Sequence, residues 1–258
     1  MTSLEIYTKY NENQLRRFYE PKPGIFICEN ERNIRRAVDA GYEIISMLIE
    51  EGKEEIAWEI IEVSRGDFAD ILIYVKKHDE LKNLTGYNLT GGMLCAMRRK
   101  ALPEVSNIIS RARRIAILDD IENPTNIGAI FRCAAGIGMD AILLTRGCSD
   151  PLYRRAARVS MGSVFAIPWA CCEVDITTLL KSHGFASVAM ALSDNSINID
   201  DPSLKSCEKL AVILGNEDKG ITPPLLESCD YVAKIPMQNN VDSLNVGSAA
   251  AIAFWELR

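Results

Sequence analysis

Ile235-Pro-Met-Gln-Asn-Asn-Val-Asp-Ser-Leu-Asn-Val-Gly-Ser-Ala-Ala-Ala-Ile-Ala-Phe-Trp-Glu-Leu-Arg258 decides how the rest of the chain is read. A short apolar strand, Val232 to Ile235, runs into Pro236, and polar or flexible residues lead from there to Ser243. Leu244 to Leu257 reads as an Ala-rich helix, with Asp242 or Ser243 as its N-cap. The small residues Gly247 to Ala251 allow another backbone to come close. A loop rich in amides and hydroxyls between a strand end and a helix start is where an open α/β fold binds small polar ligands. An ordinary strand-to-helix connection is the competing reading, and the stretches upstream separate the two.

The 258 residues suffice for one large or two modest domains, and 48% hydrophobic residues supply a sizeable core. No apolar run reaches the roughly 20 residues of a membrane span, and Met1 to Tyr10 lacks signal-peptide architecture. The eight cysteines are scattered without a Cys-x-x-Cys pair. That pattern predicts reduced thiols in a cytoplasmic protein, with neither a metal site nor a disulfide framework. A net charge of -6 argues against a nucleic-acid binder that uses its whole surface. The basic residues nevertheless cluster, as Arg98-Arg99-Lys100, as Arg111, Arg113 and Arg114, and as Arg154, Arg155 and Arg158. Each group alone reads as a solvated face; three groups near a domain junction suggest local contacts to a polyanion.

Residues 1 to about 23 read as a polar lead ending in the turn Pro21-Lys-Pro-Gly24. Strands are then expected at 24–28, 44–49, 71–75 and up to Met97, with helices at 33–40, 54–63 and 79–83. This alternation predicts a compact α/β domain over 1–105, followed by a linker from Ala101 to about Ser110. Over 111–258 the strands fall at 115–118, 141–145, 164–167, 187–192, 210–214 and 231–235. Helices fall at 126–135, 152–159, 176–182, 223–228 and 244–257. About six strands with intervening helices predict a largely parallel sheet covered on both faces.

Two further constellations carry chemistry. In Leu118-Asp-Asp-Ile-Glu-Asn-Pro-Thr-Asn126-Ile-Gly-Ala-Ile-Phe-Arg132 an apolar strand ends in acids and amides, turns at Pro124 and starts a helix near Asn126. Asn126 and Arg132 are six apart, on different faces of a continuous helix; taken alone they read as an N-cap and a surface arginine. In Leu210-Ala-Val-Ile-Leu-Gly215-Asn-Glu217-Asp-Lys-Gly220 a buried strand meets glycine at its carboxyl end. Gly215 is expected to let a ligand approach the backbone, and Gly220 to take a positive φ.

These three stretches, in this order, resemble the SpoU (TrmH-like) branch of the SPOUT RNA methyltransferases. That family carries Asn/Asp-Pro-x-Asn-x-Gly-Ala-x-x-Arg, here Asn123 to Arg132, then Leu-Gly-Asn-Glu-x-x-Gly, here Leu214 to Gly220. It closes with Ile-Pro-Met…Ser-Leu-Asn-Val, here Ile235 to Val246. Arg158-Val-Ser160-Met-Gly162-Ser163 resembles the family's segment between the first two motifs. The first domain resembles, less closely, the family's substrate-binding domain, which has the fold of a small RNA-binding ribosomal protein. The family often has Glu-Gly where this chain has Glu29-Asn30. It usually has glycine at the position of Asn239 and serine at that of Gly247.

The resemblance implies a C-terminal parallel sheet with a trefoil knot, over 111–258, that binds S-adenosylmethionine and works as a homodimer. By carry-over, Leu214, Gly215, Ile235, Met237, Leu244 and Val246 hold that cofactor. The implied reaction moves a methyl group to a ribose 2′-hydroxyl of ribosomal or transfer RNA. Arg132, Asn126, Glu217, Ser243 and Asn245 are the implied catalytic set. Arginine, with a pKa above about 12, is a poor base. Its expected role is to hold a neighbouring phosphate and stabilise the developing alkoxide, while the other four position the ribose. The three basic groups are the expected RNA contacts. His78 and His183 fall outside the motifs and are expected at the surface. A non-catalytic RNA-binding protein that keeps the fold is the alternative. A dinucleotide-dependent oxidoreductase is disfavoured, since no strand is followed by Gly-x-Gly-x-x-Gly.

Overall fold

The computed structural model describes residues 4–17, 24–64, 71–172, 175–193, 195–239 and 241–258. They form two compact units, one of residues up to 101 together with 152–166, the other of 102–151 together with 167–258. In chain order the first hundred residues give α1 (Glu5–Thr8), α2 (Glu12–Arg16), β1 (Ile25–Glu29), α3 (Glu31–Asp39) and β2 (Ile44–Glu50). They continue with α4 (Glu54–Val63), β3 (Leu72–Lys76), α5 (His78–Thr85) and β4 (Met93–Arg98). Then come α6 (Val105–Arg111), β5 (Arg114–Leu118), α7 (Pro124–Ile137), β6 (Ala141–Leu144), α8 (Arg154–Val159), β7 (Trp169–Cys171) and α9 (Ile176–Ser182). The rest is β8 (Ala186–Met190), β9 (Ile197–Asn198), α10 (Pro202–Lys205), β10 (Leu210–Leu214), α11 (Pro223–Ser228), β11 (Tyr231–Lys234) and α12 (Val246–Leu257).

The first unit is a four-stranded sheet in the order β1-β4-β2-β3, with β4 antiparallel to both neighbours and β3 parallel to β2. Successive residues of β1 serve opposite faces. Ile25 and Ile27 pack with Ile6, Leu15, Leu81 and Leu94, while the ring of Phe26 meets Tyr42 and Phe165 at 5.2 and 5.9 Å. The expected polar lead contains two helices instead. Asn11 and Gln14 cap α2 reciprocally, an Asn-x-x-Gln pattern that the polarity of the stretch concealed. The buried Tyr7 hydroxyl donates to Ser46 O at 2.7 Å and accepts the Ala96 amide at 3.1 Å. It lies where the β2–β4 register shifts between Ile44 and Ser46, and satisfies groups that the irregularity leaves without ladder partners. Most of the expected turn at Pro21–Gly24 lies outside the described residues.

Residues 152–166 pack with this unit although their neighbours in sequence belong to the other. Arg158 pairs with the buried Glu29 at 3.3 Å, and Asn33 Nδ2 donates to Ala157 O at 3.4 Å. Asn30 caps α3 from φ +67°, which is the physical reason glycine suits that position.

The second unit is a seven-stranded sheet in the order β7-β6-β5-β10-β8-β11-β9, parallel throughout. One face buries Ile109, Ile115, Ile117, Leu180 and Ile213. α7 and α12 pack on each other, burying Ile127, Ile130, Phe131, Ala250, Ala253 and Phe254. Two expectations need correction here. The supposed linker holds α6, because Val105, Ile108, Ile109 and Ala112 form a helical stripe packed on the core, and Pro103-Glu104 is its start signal. No strand forms at 164–167; Met161 and Gly162 take positive φ and a short 3-10 turn, Ser163–Phe165, follows. Pro168 lies just before the strand, its carbonyl accepting Ile142 N at 3.0 Å, and β7 starts at Trp169. Two-residue β9 gave no period to read.

Candidate active site

The carboxyl ends of β8, β10 and β11 stand side by side, and their last residues Met190, Leu214 and Lys234 line a cleft of about 570 Å³ in the second unit. Each strand runs from the sheet into a loop that closes the cleft. After β10 the chain makes a hairpin, with Asn216 and Gly220 exchanging backbone hydrogen bonds at 3.0 and 2.9 Å. Gly220 has φ +72°, as expected. Gly215 has a packing role besides the one expected. A Cβ there would lie 2.4 Å from the Gly220 carbonyl carbon, so its missing side chain admits the hairpin's own backbone. Asn216, almost fully buried, accepts the amides of Asp218 and Lys219 and donates to Asp120 O at 2.8 Å.

The third stretch begins its helix later than expected. Neither Asp242 nor Ser243 is the N-cap; Asn245 is, accepting Gly247 N at 2.9 Å. Residues 242–244 therefore stay outside the helix and line the cleft. Asn239 takes φ +58° in this loop, a conformation asparagine tolerates in place of glycine. At Gly247 a Cβ would stand 3.0 Å from Ala129 Cβ, so the glycine lets α12 lie close on α7.

Asn126 joins the three stretches. Its N-cap neighbour Asn123 starts α7, and Asn126 itself points inward and is buried. It is not the cap. Its Nδ2 donates to Glu217 Oε1, and its Oδ1 accepts Asn245 Nδ2 at 3.1 Å. Since Asn245 Oδ1 is engaged by Gly247 N, the direction of the chain Asn245 to Asn126 to Glu217 is fixed. The carboxylate at its end is exposed and lines the cleft. Below it, the buried Asp119 accepts the Thr145 hydroxyl at 3.0 Å and Thr222 N at 2.7 Å, which ties the ends of β5, β6 and the post-β10 loop.

Leu214, Gly215, Ile235, Met237, Leu244 and Val246 all line the cleft, as do Glu217, Ser243 and Asn245. Arg132 does not; it is exposed on α7, its side chain making no hydrogen bond or ion pair with another described residue. The basic groups divide. In the first unit Arg98 pairs with Glu43 at 3.2 Å, Arg99 donates to Ile25 O at 3.4 Å, and Lys100 lies over Tyr42 at 4.8 Å. Arg154 stacks on Tyr87 at 4.7 Å and Arg155 is exposed. In the second unit Arg111 and Arg113 are exposed. Arg114 instead donates to the carbonyls of Leu257, Glu208, Cys207 and its neighbour Arg113. That guanidinium ties the fold, and Arg158 is likewise held by Glu29. His78 lies at the surface beside Glu50, and His183 is half-buried, bonded to Leu179 O. Among the described residues no group of His, Cys, Asp and Glu could hold a metal ion, and no helix is long and apolar enough to cross a membrane.

The motifs did not bring forward Met190, Ala191 and Leu192, which wall the cleft from the end of β8; only a strand-end position marks them. Lys219 was overlooked inside a motif, at one of its unspecified positions.

Residues 113–255 match the SpoU rRNA Methylase family. An uncharacterized tRNA/rRNA methyltransferase of Mycobacterium bovis is 39% identical over 71% of this chain and 65% of its own length. The chain thus spans a little under two thirds of that relative. The 23S rRNA (guanosine(2553)-2'-O)-methyltransferase of Bacillus subtilis is 32% identical over 58% of this chain and 60% of its own. The AdoMet-bound rRNA methyltransferase of Sinorhizobium meliloti shares the fold, with a TM-score of 0.80 over 99% of this chain and 92% of that one, at 24% identity. Because the family match takes in more than half of the 258 residues, the chain belongs to the SpoU rRNA methylase family.

Proposed function

We propose that the protein is an S-adenosylmethionine-dependent RNA methyltransferase that modifies a ribose 2′-hydroxyl of ribosomal or transfer RNA. The observation that carries the reading is the Asn245–Asn126–Glu217 chain, which links three separate motifs at the mouth of one cleft. The cleft fits the cofactor. About 570 Å³ lies within the usual range of small-molecule sites. Leu192, Leu226, Met237 and Leu244 offer apolar walls for a flat base, and the strand ends offer backbone donors and acceptors. Leu214, Gly215, Ile235, Met237, Leu244 and Val246 would hold it. When bound, S-adenosylmethionine supplies a methyl group activated by its sulfonium charge.

The chain's own residues then have to align a hydroxyl and manage its charge. Glu217, oriented through Asn126 and Asn245, positions the ribose, with Ser243 beside it. Arg132, outside the cleft lining, holds the phosphate next to that ribose and steadies the developing alkoxide. Arg98, Arg99, Lys100, Arg111, Arg113, Arg154 and Arg155 grip the RNA backbone. Arg114 and Arg158, committed within their units, are left out of that set.

The last strand and helix form the proposed trefoil knot. The seat of β11 between β8 and β9, and the return of α12 beside β10, support it. The working unit is a cytoplasmic homodimer formed by the second unit, a reading favoured by Ile252 and Trp255 exposed on α12. The competing reading, a fold retained for RNA binding alone, is disfavoured by the intact hydrogen-bonded chain. Calorimetric titration with S-adenosylmethionine, of the parent and of Arg132→Ala, followed by ribose-methylation mapping of total RNA, separates the two. Binding by both proteins and a new 2′-O-methyl site made only by the parent is the expected result. No cofactor binding by the parent would overturn the assignment.

A further inference from the structure

The cleft mouth is acidic. Glu217 and Asp242 line it, Asp218 is exposed in the same hairpin, and Asp120 and Glu122 come from the loop after β5. A ribose hydroxyl arrives with phosphodiesters on either side, and a polyanion is repelled by a concentration of carboxylates. Lys219 and Lys234 are the cations among the cleft's described lining. Lys219 is the one joined to acids: its Nζ lies 3.3 Å from Asp120 Oδ2 and 3.0 Å from Glu122 Oε1. Its side chain is 68% exposed, and an ion pair that open contributes little to folding.

The acid it meets is nonetheless built into place. Asp120 holds φ +57°, its amide donates to the Thr145 hydroxyl at 3.0 Å, and its carbonyl accepts Asn216 Nδ2 at 2.8 Å. Gly147 leaves room for the carboxylate, since a Cβ there would lie 1.7 Å from Asp120 Oδ1. A fixed carboxylate at the mouth, matched by a cation that adds little to stability, is a device for charge. From this we infer that Lys219 is a positioning residue for RNA, its ammonium neutralising Asp120 and Glu122 so that the phosphates flanking the target ribose can approach.

The inference rests on the RNA methyltransferase reading, and its test has one arm independent of it. Methyl transfer from labelled S-adenosylmethionine to protein-free total RNA gives an apparent KM for the parent, Lys219→Met, Lys219→Arg, and Lys219→Met combined with Asp120→Asn and Glu122→Gln. Lys219→Met is expected to raise KM about tenfold with kcat nearly unchanged. Lys219→Arg and the triple variant should return KM to within about twofold of the parent. In the second arm, a 4-thiouridine oligoribonucleotide is crosslinked without cofactor, and its yield on the peptides of residues 215–222 and 235–246 is read by mass spectrometry. The yield should fall in Lys219→Met and recover in the triple variant. No recovery would mean that Lys219 touches RNA directly or merely shapes the hairpin, and the inference is lost; so it is if Lys219→Met matches the parent. A parent that transfers no methyl group but shows the crosslinking pattern would remove the enzyme reading and leave the charge role standing.

Discussion

At the scale of single residues, the site depends on side chains that hydrogen-bond to two partners at once. Asn126 joins an amide to a carboxylate because it alone of the three groups has both a donor and an acceptor to give inward. Arg114 plays a comparable part away from the cleft, spanning carbonyls at the end of α12, before β10, and at Arg113 just before its own strand. Replacing it with Met should lower stability by about 1.5–3 kcal/mol, the range for hydrogen bonds to a charged group. Urea unfolding reads this loss, with methyl transfer at low temperature little changed. Asp230 gives a pH-dependent prediction. Burial acts to raise its pKa, but the Ser187 hydroxyl and amide and the Lys181 ammonium outweigh it, so the carboxyl sits below its ordinary 3.8. A depressed folded pKa stabilises above the unfolded value and is lost as pH falls through the folded one. The gap in urea midpoint between the parent and Asp230→Asn should therefore be full near neutral pH and shrink below about pH 4. A gap that widened on acidification would contradict it.

Elements carry the next level of constraint. α7 and α12 each deliver one member of the hydrogen-bonded chain from their first turns, so their separation sets the Asn126–Asn245 distance. Gly247 controls that separation through Ala129. Gly247→Val should push α12 outward, costing about 1–3 kcal/mol as overpacking. It should also weaken S-adenosylmethionine binding, since Leu244 and Val246 move with the helix; calorimetry and thermal melts together check both. Unaltered binding in a destabilised variant would separate the packing from the site. The 215–220 hairpin works the same way: its closure aims Glu217 and Lys219, and Gly215 and Gly220 are the residues that permit it.

Over the whole molecule, the proposed function asks an acidic chain to bind RNA. The basic residues proposed to grip RNA are few, and those at 98–100 and 154–155 belong to the first unit while 111 and 113 belong to the second. Sparse phosphate contacts make each one visible in the salt dependence. Replacing Arg98 and Arg99 together with Ala should reduce the slope of log affinity against log salt by about 1–2. Filter binding at several salt concentrations measures it, and an unchanged slope would place the RNA elsewhere.

How much of this was legible in sequence follows from how local each signal is. The parallel second half, the strands β5, β10 and β11, and the order of the motifs were readable from short apolar runs and nearby polar residues. So were the residues gathered at the cleft, through resemblance. By itself the sequence determined the alternation of elements, since hydrophobic period and turn chemistry act within a few residues. α6 reads as linker because Ala101-Leu-Pro-Glu resembles one, and the start of α12 is displaced because Asp242, Ser243 and Asn245 all offer caps; packing chooses among them. Tertiary structure alone decided that Gly215 serves the hairpin, that Arg114 and Arg158 are ties, and that Lys219 meets Asp120 and Glu122. Each of these rests on partners brought together from distant parts of the chain or across a turn, and burial and hydrogen-bond satisfaction between them are properties of the folded state.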